Sequence, residues 1–502
     1  MEMEDTGPAK RPKGWGSRHT MAILGCWAFA MSYAMRFNIS IAIVSMVNQT
    51  AISVHKNENA SGFDNSSSGG LTCDHLRVVT EEEFDENGTL IVSEEEVDEI
   101  VGEFDWSPTE QGVILGSFFW GYVLTQMPGG ILSHRYGGKW PLGIGLFFAG
   151  LATVLTPLAA RTHKYVLCLC RVVCGLGEGF AFPAMHGLLA SWAPPDEKSK
   201  LASIVYAGAQ FGTAATMIMS GYLIHGNVLG GWPSVFYFIG SLTIIWFILW
   251  CFFVYDTPAQ HPRISIEELN FIEKSIGNQS SKVKVPTPWK AIFTSMPFWA
   301  IMVGHIGHAW GLYTLLHELP TYLKNMLHFD IRQNSWLSAL PYIVMWILSI
   351  FITQIADLLI SRKIFRTVVV RKGCQSIAHL GSAVLLIAAS YSGCSRAATV
   401  SLLTLSVGIN GAIYGGYVVN HVDIARNHAA TLSGITHTIA NITGFCVPYV
   451  AGIFLSQGNT LENWQIVFFL AAGVYIIDVI FYVIFASATE QPWNRGYTSA
   501  PK

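Results

Sequence analysis

The sequence predicts an all-α membrane protein, and three observations carry that expectation. Of its 502 residues, 51% are hydrophobic and only 13% charged, about half the charged share of an ordinary soluble chain. Mean hydropathy is +0.40. Apolar runs of about 20 residues, long enough to cross a bilayer, recur along most of the chain. Lipid satisfies no backbone polar group, so such runs must close their hydrogen bonds internally, as helices.

Twelve spans are expected, near 19–47, 108–133, 140–160, 164–190, 200–224, 232–254, 297–323, 334–358, 367–391, 396–422, 430–455 and 462–487. Residues 1–18 are polar and basic, and the run after them is too long for a cleavable signal. It is expected to stay as the first span. Lys and Arg set orientation. They cluster in the N-terminal tail (Lys10, Arg11, Lys13, Arg18) and in every second connection, at Arg135 and Lys139, at Lys274, Lys282, Lys284 and Lys290, and from Arg362 to Lys372. Both termini, 1–18 and 488–502, are therefore expected in the cytoplasm.

The connection 255–296 divides the spans into six and six: a first bundle over 19–254 and a second over 297–487. Within it, ISIEELNFIEKSI reads as one short amphipathic helix, with Ser265 as its cap and Glu268 three residues on. The first outside connection, 48–107, differs from the rest. It has 15 Asp or Glu against Lys56 and Arg77, and it is expected to be a solvated, flexible face. Its four Asn-x-Ser/Thr sequons, at Asn48, Asn59, Asn65 and Asn87, predict glycosylation on a lumenal or extracellular side. Nine cysteines show no metal-site spacing. Cys73 and Cys394 both fall on the outside, where an oxidising compartment allows a disulfide between them.

Charges inside the spans point to function, because a charge at the bilayer centre costs several kcal/mol, at least ~2.5 by insertion scales. In RVVCGLGEGF, Arg171 and Glu178 lie seven residues, about two helical turns, apart. They share a face that must turn from lipid toward a cavity. Arg36, in SYAMRFNIS, meets the same constraint. Two arginines make such a cavity positive, and the planar guanidinium fork suits carboxylate or phosphate. Glu178 is then the coupling candidate, since burial raises a carboxyl pKa and a nearby arginine lowers it. An ion pair that merely locks helices is the alternative. Tyr33, Tyr122, Tyr206 and Tyr313 could supply hydroxyls to an anion or simply pack. Span seven adds His305, His308, His317 and Glu318, and span eleven adds His437. A histidine titrates near neutral pH, so His308, His317, Glu318 and His437 join the coupling or gating candidates, although packing is the commoner role of such histidines.

Two sixes joined by a linker fit a transporter built from repeated halves. The loop GGILSHRYGGKW, Gly129–Trp140, resembles the signature loop of the major facilitator superfamily, a Gly followed by Asp-Arg-x-Gly-Arg-Arg. Gly130, Arg135, Gly137 and Lys139 match it. His134 replaces the usual Asp, and Gly138 a basic residue. The second-half counterpart, QIADLLISRK, keeps an acid at Asp357. The resemblance implies a cytoplasmic gate involving Arg135, Lys139 and Asp357.

Four longer stretches, WSPTEQGVILGSFFWGYVLTQMPGG, GLGEGFAFPAMHGLLASWAPPDEKSKL, YAGAQFGT and NHVDIA, resemble the anion:cation symporter family of that superfamily. It includes sialin, the vesicular glutamate transporters and the type I sodium-phosphate cotransporters. Sialin and insect inorganic phosphate cotransporters look nearest. The resemblance implies the major facilitator fold, two six-helix bundles around a central cavity, and substrate-linked roles for Arg36 and Arg171. It also implies a proton-sensitive carboxylate at Glu178. Sialin-like members carry a second acid where this chain has Cys174, which shifts weight from proton to sodium coupling. Vesicular glutamate transporters carry Arg at the position of His308, which argues against glutamate.

The expected function is cation-coupled transport of an anion, driven by Na⁺ or H⁺, with inorganic phosphate competing with an organic carboxylate such as sialate or urate. A proton-coupled, sialin-like exporter of lysosomes or vesicles is the alternative. No cofactor or metal is expected, and the partners are a small anion and the bilayer, with no nucleic acid and a functional monomer. The tail lacks an acidic dileucine signal, which tilts the expectation toward the plasma membrane. An enzyme is disfavoured, since no nucleophile–base or metal-ligand set is visible and no GxxxxGK[ST] loop is present. A non-transporting sensor on the same fold is a further class, which solute counterflow separates from a carrier.

Overall fold

The computed structural model describes residues 12, 14–48, 71–73, 76, 78–84, 90–96, 102–194, 197–277 and 287–495. Helices dominate. Those of eight residues or more are, in chain order, α1 (Ser17–Met46), α2 (Pro108–Tyr136), α3 (Lys139–Thr162), α4 (Lys164–Glu178), α5 (Ala181–Trp192), α6 (Lys198–His225), α7 (Pro233–Phe253), α8 (Ile266–Gly277), α9 (Met296–Asn325), α10 (Ile331–Ser361), α11 (Thr367–Ser390), α12 (Arg396–Asn410), α13 (Tyr417–Ile424), α14 (Ala429–Ala440), α15 (Thr443–Leu455) and α16 (Leu461–Phe485). Each of the twelve expected spans coincides with one of these helices or with a broken pair.

Three spans are interrupted. The fourth pauses at Gly179–Phe180 between α4 and α5. The tenth passes through a 3₁₀ segment, Gly411–Gly415, before α13. The eleventh breaks between α14 and α15. Hydropathy averages over such breaks, so it reads each pair as one run. Among the described residues, ten spans are long and apolar enough to cross a membrane by length and composition. The remaining two, α2 and α9, are as long, at 29 and 30 residues.

The chain separates into two compact units whose bounds cut α1, α2, α6 and α7 and also fall within the linker, between residues 286 and 287. One comprises residues 1–36, 120–213 and 236–286; the other comprises 37–119, 214–235 and 287–502. In the first, small residues let backbones meet, as expected where lipid gives helices no hydrophobic drive to associate. A Cβ on Gly145 or Gly177 would strike the other residue's carbonyl, so α3 and α4 touch there. Gly208 and Gly212 of α6 rest on the carbonyls of Cys26 and Ala30 of α1 in the same way. Buried tryptophans tie the edges. Trp246 Nε1 donates to Leu24 O at 2.9 Å and Trp250 Nε1 to Lys139 O at 2.9 Å. The predicted cap of α8 forms, with Glu268 N donating to Ser265 Oγ at 3.2 Å.

In the second unit, α11 packs on α16 and α12, and α9 packs on α16 and α15. Within the acidic connection, the described residues include two strands. Strands β1 (Val78–Phe84) and β2 (Leu90–Glu96) pair antiparallel, Val78 opposite Glu96 and Phe84 opposite Leu90. The β-branched and apolar residues Val78, Val79, Leu90, Ile91 and Val92 favour strands. The approach to this hairpin is fixed to the bundle. Cys73 is disulfide-bonded to Cys394, Leu461 N donates to Leu71 O at 3.0 Å, and Arg396 Nη2 donates to Leu76 O at 3.1 Å. Of the four sequon asparagines, Asn48 ends α1's connection, where its N–H donates to Phe104 O at 2.8 Å. Asn59, Asn65 and Asn87 lie outside the described residues.

Candidate functional site

The arginines and the carboxylate singled out in the spans meet in the first unit. Glu178 is the last residue of α4 and is fully buried (0% exposed). Its Oε2 accepts from Ser32 Oγ at 2.6 Å and from Arg36 Nη2 at 3.2 Å. Its Oε1 accepts from Cys174 Sγ at 3.6 Å, one turn back on the same helix. Cys174 therefore stays beside Glu178 as a weak donor rather than a second charge.

Arg36 lies over two aromatic faces. Its guanidinium carbon is 4.7 Å from the Tyr33 ring centre and 4.4 Å from the Tyr122 ring centre. Such stacking holds a cation in a low-dielectric place at modest cost. Of the tyrosines considered from sequence, these two flank the arginine. Tyr206 is elsewhere: its hydroxyl is 2.9 Å from His186 Nδ1, and its ring stacks on Phe182 beside Phe29.

Arg171 is 1% exposed and is spent differently from what its fork suggests. Nη1 donates to Met35 O and Nη2 to Arg36 O, both at 2.8 Å. A carbonyl has two lone pairs, so these oxygens can accept from Arg171 while remaining in the helix ladder of α1. The fork grips the backbone that presents Arg36. The pair is thus an arginine aimed at a carboxylate and an arginine that positions it.

The other coupling candidates lie in the second unit. His308 Nδ1 is 2.8 Å from Asn410 Oδ1, and its ring is parallel to that of His379 at 6.0 Å. His437 Nδ1 bonds Ser433 O on its own helix at 2.9 Å, and its ring meets His305 edge-on at 4.3 Å. His317 Nδ1 is 3.0 Å from Ser40 Oγ, among Phe37, Phe119 and Tyr313. Tyr313 itself donates to Asn441 Oδ1 at 2.6 Å. Glu318 lines a small cavity with Gln111, Thr321, Asn325 and Asn459.

The signature loop has an acid after all, supplied from a distance. Gly137 turns with φ +87°, and the Asp256 carboxylate packs where a Cβ would stand. Asp256 Oδ1 accepts from Lys139 N at 2.7 Å. Lys139 Nζ donates to Cys251 O at 3.0 Å and sits over the Tyr255 ring. Arg135 is exposed, against Tyr136. In the second unit Asp357 is exposed, and the ion pair near its helix end is Arg371–Asp423 at 2.7 Å.

Sequence reasoning missed four buried polar residues. Arg18, read only as a tail cation, donates to Glu197 and Glu268 at 2.7 Å each. His379 and Asp478 pair at 2.8 Å, both buried. Asp478 stands alone in VYIIDVIFYV, so a charge in an apolar span was its available signal. Ser32 gave no signal, because a serine in a span is common.

Comparison with known proteins fits this architecture. Residues 25–448 match the Major Facilitator Superfamily. The chain is 42% identical to the "Putative inorganic phosphate cotransporter" of Drosophila melanogaster over 484 residues, 96% of this chain and 87% of that one. It is 40% identical to Homo sapiens "Sialin" over 477 residues, covering 95% and 90%. It is 36% identical to "Vesicular glutamate transporter 3" of Danio rerio over 505 residues, covering 98% and 78%. Among solved structures, a bacterial homologue of the human lysosomal transporter Spinster and a D-xylose–proton symporter both superpose with TM-score 0.62 over 94% of this chain, covering 96% and 98% of theirs. At 13% identity these show the fold alone. The relatives are transporters rather than enzymes, and this chain belongs to the anion:cation symporter family of the major facilitator superfamily, as a multi-pass membrane transporter of anions.

Proposed function

We propose that this chain carries inorganic phosphate or a small organic anion by alternating access, driven by Na⁺ or H⁺. One observation carries the reading. Arg36 is a buried cation flanked by the Tyr33 and Tyr122 rings and bonded to the Glu178 carboxylate at 3.2 Å. That bond is long for a charge-assisted pair, which typically closes to ~2.7–2.9 Å. An incoming anion competes with Glu178 for the same guanidinium. Once displaced, the carboxylate is buried without its counter-charge, a costly state that a cation relieves. Binding of anion and cation are thereby linked through one residue.

Phosphate is the leading substrate because the phosphate cotransporter relative is the most similar of those above, and sialate or another carboxylate is the alternative that sialin suggests. Sequons on the first outside connection support glycosylation, and the tail composition supports the plasma membrane over a lysosome or vesicle. The deciding experiment is uptake of phosphate, sialate, glutamate and urate into reconstituted vesicles, each under a sodium or a proton gradient. Phosphate accumulation under a sodium gradient supports the reading. Sialate uptake driven only by protons replaces it with the sialin-like one, and absence of counterflow for every anion refutes transport.

A further inference from the structure

We propose that Glu318 and the cavity it lines form a sodium-binding site in the second unit. Glu318 is 5% exposed, and among the described residues no hydrogen bond or ion pair engages its carboxylate. Its neighbour His317 is directed elsewhere, to Ser40. A buried carboxylate without a partner is among the most expensive arrangements a fold can hold, so something must neutralise it.

The surroundings select the neutralising species. The cavity, about 30 Å³, is lined by Pro108, Gln111, Glu318, Thr321, Asn325 and Asn459 among others, with Gly112, Leu115, Gly452, Leu455 and Trp464 completing the wall. No Lys, Arg or His lines it. The polar wall is oxygen-bearing, the chemistry that hard cations take. Gln111 already donates its amide nitrogen to Trp106 O at 2.9 Å, so its carbonyl oxygen is the end left for the cavity. Asn459 Oδ1 accepts from Trp464 Nε1 at 2.7 Å and keeps a second lone pair.

Charge and size then narrow the choice. One carboxylate balances one positive charge, which fits a monovalent ion better than a divalent one. The volume has room for a water-sized body, which needs roughly 10–15 Å³ on this scale. A proton would need the carboxylate alone and gives no account of four neutral oxygen-bearing side chains around an open space. The sequence offers no sodium motif, because these residues come from α2, α9 and the α15–α16 connection, and only the fold assembles them.

The proposal goes beyond the coupling assigned to Glu178 by adding a second cation site, and it rests on the proposed function only for its role in transport. The test is therefore made on binding. Melting temperature of the purified full chain is measured in NaCl and in choline chloride at equal ionic strength, without anion, at several pH values, for the wild type, Glu318→Gln and Thr321→Val. Expected are stabilisation of the wild type by sodium, its loss in Glu318→Gln, and at least tenfold more sodium needed in Thr321→Val. Because each variant is compared with itself in choline, a general change in stability does not mimic the result. Sodium stabilisation that survives in Glu318→Gln overturns the site. Stabilisation by low pH alone, lost in Glu318→Gln, makes it a proton site and overturns the sodium assignment. If sodium binds through Glu318 while anion uptake ignores sodium, the site stands and its role in driving transport falls.

Discussion

Arg171 donates to the backbone carbonyl of Arg36 at 2.8 Å, so one buried arginine holds in place the helix turn that carries the other. The division of labour is physical. Arg171 uses both terminal nitrogens on carbonyls of α1, whereas Arg36 turns its guanidinium to Glu178 and two tyrosine rings.

Arg171→Lys should therefore act through positioning. Lysine keeps the charge but cannot bridge two carbonyls in the fork geometry, and a hydrogen bond to a charged group contributes ~1.5–3 kcal/mol. The expected result is a drop in anion uptake of about tenfold or more, at ~1.4 kcal/mol per decade, with surface expression near normal. Arg36→Lys should lose more, since it alters the proposed anion contact itself. Uptake normalised to surface protein measures both, and equal wild-type rates in Arg171→Lys would falsify the positioning role.

Glu178→Gln keeps an acceptor for Ser32 and removes the counter-charge of Arg36. Anion binding should tighten, because Arg36 no longer has a carboxylate competitor. Concentrative uptake should lose its dependence on the driving cation, while anion–anion counterflow persists. Equilibrium binding alongside gradient-driven and counterflow assays separates these effects. Intact cation dependence in the variant places coupling at another residue.

Arg18 joins α1 to Glu197 and to Glu268 of α8, both at 2.7 Å and all buried. Removing one partner of a buried ion pair costs ~3–5 kcal/mol. Arg18→Met strands two carboxylates and should lower the melting temperature sharply. Glu268→Gln leaves the Arg18–Glu197 pair and should cost much less. Thermal melting of the two purified variants checks the order, and a reversed order would show that α8 is held by other contacts.

The Cys73–Cys394 bond closes a span of 321 residues. A disulfide typically contributes ~2–4 kcal/mol. Cys73→Ser, Cys394→Ser and the double variant should show the same reduced melting temperature, and a reducing agent should bring the wild type down to them. A further loss in the double variant would mean that the two sulfurs act separately.

How much of this was legible in the sequence differs by residue. The twelve spans were, because hydropathy and length are local properties and lipid demands a helix wherever both are met. So were Arg36, Arg171 and Glu178, since a charge in an apolar run has to be turned from lipid. The breaks at Gly179, at 411–415 and after Ala440 were not, because a window average passes through them.

What the tertiary structure decided is which polar group meets which. Arg18 and Glu268 are 250 residues apart, and their pairing leaves no periodic trace in the chain. Asp256 completes a loop 117 residues before it, in place of the acid that His134 displaced. Arg171 was expected at an anion on sequence grounds, and the packing of α4 on α1 brings its two terminal nitrogens to carbonyls of α1. By itself, the sequence determined that charges are kept within the membrane spans. The fold determined their partners, because the cost of a buried charge depends on contacts within a few ångströms that residues far apart in the chain supply.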